Sequence, residues 1–231
     1  MSNRAPRETV EEFVTALTEA LADYQIPEPS AAQRSQLVKH YQMMLAWNRR
    51  TNLTRISEPA AAARLHYADS LAGHRFIGGA QSLLDIGSGA GFPAIPLAVL
   101  RPDVRVTALE ANQKKSLFLA EARDALRLAN FDIAMARVES FDLSAFDLLT
   151  SRALDRAEEV LPAIIERMTE RQRFMLYCTK ELLDKFSARF AADFTIQAQP
   201  MPQSTSRLIV TFARHHPSVK SNDAGDARRS N

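Results

Sequence analysis

Apolar residues recur at helical spacing through the first third of the chain. Val10, Phe13, Val14, Leu17 and Leu21 fall on one face of a helix over residues 8–23. Pro27 and Pro29 interrupt it, and Ser30 with Gln33 forms a capping box ahead of a second stripe, Leu37, Tyr41, Met44 and Leu45. A third helical stretch over residues 60–76 ends near Gly78-Gly79. Beyond it the character changes to short apolar runs separated by amphipathic segments. The pattern predicts strands at 82–86, 105–110, 131–136, 146–151, 174–180, 195–199 and 208–213. Helices are predicted at 113–128, 157–169 and 181–190. The last two strands lie eight residues apart, too few for a helical crossover, so they are expected to be antiparallel neighbours. The organisation that follows is a helical region over 1–78, an α/β domain over 79–214, and a polar tail over 215–231 predicted to be disordered.

The first strand closes on an acid, and three glycines follow in alternation: Asp85-Ile86-Gly87-Ser88-Gly89-Ala90-Gly91-Phe92-Pro93. A buried strand, a tight glycine turn and a helix start make a nucleotide-cofactor site, because glycine lets a ligand lie against backbone N–H groups. A dinucleotide site has the spacing G-x-G-x-x-G. Here the spacing is G-x-G-x-G, and Phe92 follows directly. A second acid, Glu110, ends the second predicted strand twenty-five residues after Asp85, where a carboxylate can accept bonds from both ribose hydroxyls. An acid two residues before G-x-G-x-G resembles motif I of the class I S-adenosylmethionine-dependent methyltransferases. In that family the loop lies under the methionine and ribose part of the cofactor. Helices alternating with strands, closed by an antiparallel pair, likewise resemble its Rossmann-like seven-stranded sheet with an antiparallel last strand, here with an N-terminal helical extension.

Composition adds little until it is read locally. An apolar content of 46% and a charged content of 24% are ordinary for a globular chain of 231 residues, and the formal charge of +2 is too small to point to a partner. The single cysteine, Cys178, sits in an apolar run; it excludes an internal disulfide or a cysteine metal cluster and fits a reducing, cytoplasmic setting. No signal segment and no apolar run long enough for a membrane span is visible, and no metal centre is expected. Residues 33–56, however, carry Arg34, Lys39, Arg49, Arg50 and Arg55 and no acid. Such a block docks a phosphate backbone or forms a solvated helix face. Trp47 within it can stack on a base or pack the helix onto the core, and packing is the expected role. His66, Asp69 and Ser70 share one helical face, and no strained strand-to-helix turn presents the serine as a hydrolase nucleophile would require. A hydrogen-bonded cluster beside the glycine turn is expected instead.

Five motifs in order then resemble one family. W-N-x-x-x-N-L-T begins at Trp47 and H-x-x-D-S at His66, followed by the glycine turn, R-V-E at Arg137 and S-R-A at Ser151. Together they are similar to the glucose-inhibited division protein B family, the 16S ribosomal RNA guanine-N7 methyltransferases. The resemblance implies S-adenosyl-L-methionine as cofactor, held by Asp85, Gly87, Gly89, Gly91, Phe92, Glu110, Val138, Glu139 and Arg152. It implies 16S ribosomal RNA in the 30S subunit as partner, with a guanosine of the 530 loop (position 527) as acceptor, and a monomeric enzyme. Arg49, Arg50, Asn52, His66, Lys180 and Arg207 are the expected RNA contacts, and Arg152 and Asp69 the expected catalytic pair. Two positions depart from the family pattern: Leu65 stands where members carry Arg or Lys, and Glu181 where they carry Gly. Guanine N7 is a lone pair without a proton, so in-line transfer needs alignment and no general base. A nearby carboxylate would favour the cationic product. Methylation of another RNA or of a small molecule, a nicotinamide-dependent activity and a non-catalytic RNA-binding role stand as alternatives.

Overall fold

A computed structural model describes residues 6–154 and 156–215. The chain opens with α1 (Pro6–Asp23) and α2 (Ala31–Asn48), and α2 starts on the predicted capping box, Ser30 with Gln33. The third helical stretch is not one α-helix. α3 (Pro59–Ala62) passes through a π-helical segment (Ala63–Ala68) into α4 (Asp69–Ala72), and α5 (His74–Ile77) follows. The wider turn of a π segment re-aims the side chains that follow it.

The α/β part runs β1 (Ser82–Ile86), α6 (Ala94–Leu100), β2 (Arg105–Leu109), α7 (Gln113–Leu126), β3 (Phe131–Ala134) and β4 (Leu148–Arg152). It continues with α8 (Ala157–Glu166), β5 (Arg173–Thr179), α9 (Lys180–Phe190), β6 (Phe194–Pro200) and β7 (Arg207–Arg214). All seven predicted strands are present, with shifted ends. β4 starts two residues later than its apolar run: Asp147 N–H donates to the Ser82 hydroxyl instead of a strand carbonyl, and its carboxylate accepts from the Gln81 and Ser82 amides at the head of β1. β3 ends at Ala134, and a 3₁₀ turn at Val138–Ser140 follows, which periodicity does not show.

The sheet order is β3-β2-β1-β4-β5-β7-β6, with β7 antiparallel to both its neighbours; the short final connection accounts for the β6–β7 pair. The first crossovers run outward from β1 to β2 and β3, and the later ones start again on its other side at β4. Ligands bind open α/β sheets at this switch, outside the carboxyl ends of the strands.

Side chains alternate across the sheet. Leu83, Val106, Leu148 and Met175 point to one layer of helices, and Leu84, Leu149, Phe174 and Phe212 to α8 and α9 on the other. The first layer contains more than α6 and α7. Phe13, Leu17, Leu37, Tyr41, Met44 and Tyr67 belong to the same buried cluster, and Phe13 stacks on Tyr41 at 4.2 Å. The boundary at residue 78 therefore separates types of element, not hydrophobic cores. Residues 216–231 of the predicted tail lie outside the described residues. Among the described residues no helix is long and apolar enough to cross a membrane, and no group of three or more His, Cys, Asp or Glu is placed to hold a metal.

Candidate active site

The glycine turn is built by backbone conformations that other residues avoid. Gly87, Gly89 and Gly91 have φ of 77°, 58° and 86°. Gly87 N and Ser88 N both donate to Leu109 O at the end of β2, and Gly89 N donates to Glu110 Oε2 at 2.9 Å. The other Glu110 oxygen accepts from Asn112 N at 2.8 Å, so this carboxylate ties the turn to the start of α7. The three glycines face different things. A Cβ on Gly91 would lie 2.5 Å from Ile95 Cδ1 and 3.3 Å from Leu119 Cδ2, inside the core, whereas on Gly89 it would meet only Gly87 O at 3.9 Å. On Gly87 it would meet Leu154 Cδ1 at 2.5 Å.

Above the turn is a cleft of about 390 Å³. Gly87, Gly89, Phe92, Glu110, Val138, Glu139 and Arg152 all line it, and so does His66. Two of the expected cofactor contacts are not in its wall. Gly91 packs beneath it, and Asp85 is fully buried behind the turn. Asp85 Oδ2 accepts from Ala94 N at 3.3 Å, and Oδ1 has no hydrogen-bond partner among the described residues. Burial pushes the Asp85 carboxyl up to about 7. Thr54, Leu53, Arg137 and Leu154 are also in the wall and were not among the expected cofactor contacts.

A buried histidine supports the turn from below. His40, on α2, places Nε2 3.1 Å from Ala90 O and Nδ1 2.8 Å from the Tyr67 hydroxyl. A carbonyl only accepts, so Nε2 carries the hydrogen, Nδ1 is the acceptor, and Tyr67 O–H donates to it. Full burial holds this ring neutral, its pKa pushed down to about 3. The signal was present in the sequence: His40 is a polar residue on the otherwise apolar stripe of α2.

His66 forms part of the cleft itself. Its ring stacks on Phe92, with centroids 4.5 Å apart and planes 12° apart, while Nε2 bonds Thr54 Oγ1 at 2.9 Å. Burial, reinforced by the nearby Arg152 charge, lowers its pKa to about 4. At neutral pH it brings no positive charge to a phosphate. Arg152 is also largely committed. Its guanidinium donates to Leu65 O, His66 O and Ser70 Oγ, clamping the π segment to the end of β4.

Asp69 is buried, and it accepts from the Tyr24 hydroxyl at 2.5 Å and forms an ion pair with Arg207. Both lie on a second cavity of about 240 Å³ at the carboxyl ends of β4 and β5. That pairing accounts for Arg207, which is therefore not a free cation. Arg49, Arg50 and Asn52 are exposed on the turn after α2, and Lys180 is exposed at the start of α9. Trp47 packs edge-on against Phe118 at 5.7 Å and donates Nε1 to Glu121 at 3.0 Å, a packing role as expected.

Comparison with known proteins agrees with this architecture. The family model described as rRNA small subunit methyltransferase G matches residues 33–206. The chain belongs to this family. Members named ribosomal RNA small subunit methyltransferase G resemble it over part of their length. That of Laribacter hongkongensis is 43% identical over 133 residues, which is 57% of this chain and 64% of the relative. That of Neisseria gonorrhoeae is 40% identical over 127 residues, 55% of this chain and 61% of the relative. The matched stretch thus spans less than two thirds of the length of these family members. Solved structures show the fold. An S-adenosylmethionine-dependent O-methyltransferase from Thermotoga maritima superposes with a TM-score of 0.55 at 17% identity, covering 75% of this chain and 71% of that one. A ribosomal protein L11 methylase from Lactobacillus delbrueckii gives 0.54 at 14% identity over 66% of this chain and 80% of that one. This chain therefore shares the fold of these two methyltransferases, with the seven-stranded sheet and antiparallel last strand expected from the sequence.

Proposed function

We propose that this chain methylates N7 of a guanosine in 16S ribosomal RNA within the 30S subunit, using S-adenosyl-L-methionine. Family membership supports an RNA substrate. The observation that carries the reading is the cleft: an open glycine turn tied to a strand-end carboxylate, with Phe92, Val138, Glu139 and Arg152 also in its wall. S-adenosyl-L-methionine fits that donor set. Gly89 leaves space where a side chain would intrude, Glu110 presents two carboxylate oxygens beside the turn, and Val138 and Glu139 line the same cleft. When bound, the cofactor supplies an activated methyl group.

The chain's own residues supply alignment. Guanine N7 offers an in-plane lone pair and no proton, so no side chain has to remove one. The cleft is consistent with that: its imidazole, His66, has Nε2 on Thr54 and Nδ1 facing the Arg152 guanidinium at 3.5 Å. Holding the reacting atoms in line contributes about 7–11 kcal/mol at best, which suits a site made of rigid contacts. Arg152 fixes the geometry by joining β4 to the π segment, and Arg49, Arg50, Asn52 and Lys180 are exposed for phosphate contact.

The test incubates the protein and isotopically labelled S-adenosyl-L-methionine with 30S subunits from cells lacking it, and maps the label by mass spectrometry. Label on one N7-methylguanine of 16S ribosomal RNA is expected. Label on another base, on protein only, or on nothing overturns the proposal.

A further inference from the structure

We propose that the second cavity receives the acceptor guanine and that Asp69 is its specificity-determining residue, accepting from the N1–H and the 2-amino group. This rests on the guanine-N7 reading above and deepens it.

Position is the first argument. The cavity shares Arg152, Ala153 and Leu154 with the cofactor cleft, so a group held in it lies against the cleft at the tip of β4. Much of its remaining wall is apolar, with Leu161, Leu182, Met201 and Leu208 among the lining, and its volume is about 240 Å³. Asp69 lines this cavity and not the cofactor cleft, which sets it apart from the shared wall.

Hydrogen-bond capacity is the second. An ionised carboxylate has about four acceptor sites. Tyr24 uses one on Oδ1 and Arg207 one on Oδ2, so each oxygen retains a lone pair for a further donor. Arg207 balances the buried charge, which would otherwise be costly. Guanine presents two adjacent donors, N1–H and the 2-amino group, on the edge across the purine from N7. Pairing that edge with Asp69 turns N7 toward the shared wall. Adenine instead brings an unprotonated N1 lone pair to the carboxylate, and hypoxanthine lacks the amino group. A buried site built to accept two hydrogen bonds discriminates against a base that cannot donate them.

The experiment compares reconstituted small subunits carrying guanine or hypoxanthine at the acceptor position. Wild type is expected to prefer guanine by roughly 10- to 100-fold in kcat/KM, the discrimination a bidentate pair supplies. In Asp69→Asn that preference collapses to about threefold or less, while affinity for S-adenosylhomocysteine by calorimetry stays within about twofold of wild type. A purely structural role would lower both substrates together and leave the ratio intact, which overturns the inference. Leu182→Trp, at a half-buried position on the same cavity, provides the second variant. It should bind S-adenosylhomocysteine normally and lose methyl transfer; wild-type transfer by it also overturns the inference. If wild type makes no N7-methylguanine on the guanine subunits, the proposed function itself has failed, a result separate from either of these.

Discussion

Replacing His40 by leucine isolates the contact between the helical layer and the glycine turn. The substitution strands two buried groups, the Ala90 carbonyl and the Tyr67 hydroxyl, which His40 satisfies at 3.1 and 2.8 Å. Each unsatisfied group costs about 1–3 kcal/mol, or about 4 kcal/mol for the pair at mid-range. Leucine recovers about 1 kcal/mol through its extra apolar surface, leaving a net loss of about 3 kcal/mol. Urea unfolding measures it directly. The double variant His40→Leu with Tyr67→Phe removes the stranded hydroxyl as well, and should regain about 1–2 kcal/mol relative to the single variant. Calorimetry should show weaker S-adenosylhomocysteine binding in the single variant, because Ala90 lies in the turn. A loss below about 1 kcal/mol, or a double variant no more stable than the single, would refute the hydrogen-bond assignment and with it the tautomer.

Other expectations follow from the same geometry. Gly91→Ala should destabilise by about 2–4 kcal/mol, since its Cβ enters the core at a left-handed φ. Gly89→Ala faces open space and should lose only about 1–2 kcal/mol of stability while weakening cofactor binding; paired denaturation and calorimetry distinguish them. Glu110→Ala should reduce cofactor affinity by about 1–3 kcal/mol and loosen the turn by freeing Gly89 N and Asn112 N, and an unchanged affinity would make it a bystander. His40 titrates near 6.5 unfolded and near 3 folded, so the unfolded chain binds the extra proton as pH falls. Its contribution is complete above pH 6.5 and should drop by about 2 kcal/mol from pH 7 to pH 5, a slope missing from a folded His40→Gln variant. Asp85 works in the opposite direction: its folded value near 7 makes the native state the proton binder. Its stabilising contribution should therefore decline as pH rises from about 4 to 7, and Asp85→Asn should remove that decline.

What the sequence disclosed depended on whether the information was local. The stripe Val10, Phe13, Val14, Leu17 and Leu21 is legible because one side of α1 is buried. Gly87, Gly89 and Gly91 are legible because their unusual φ values are a property of a few neighbouring residues. Strand ends were less so: Asp147 leaves β4 to bind amides 65 and 66 residues away. The π segment is invisible to a 3.6-residue period, and it changes which of His66, Asp69 and Ser70 share a surface. Asp69 and Arg207 are separated by 138 residues and meet only because β7 lies against β5. Arg152, expected at the transfer site, does line the cleft, yet the carbonyls that absorb its guanidinium belong to a helix in another part of the chain.

If RNA docks as proposed, the continuity of the first helical layer with the sheet makes the protein a measuring jig. Among the described residues α2 and the strands share one buried cluster, and His40 pins the same helix to the glycine turn. An RNA that settles on Arg49 and Arg50 would therefore meet a fixed span to the cleft rather than an arm that can search. A nucleotide one step too near or too far along the strand would arrive with its base out of reach, whatever its edge. Choice of target would then be made first by length and only afterwards by chemistry.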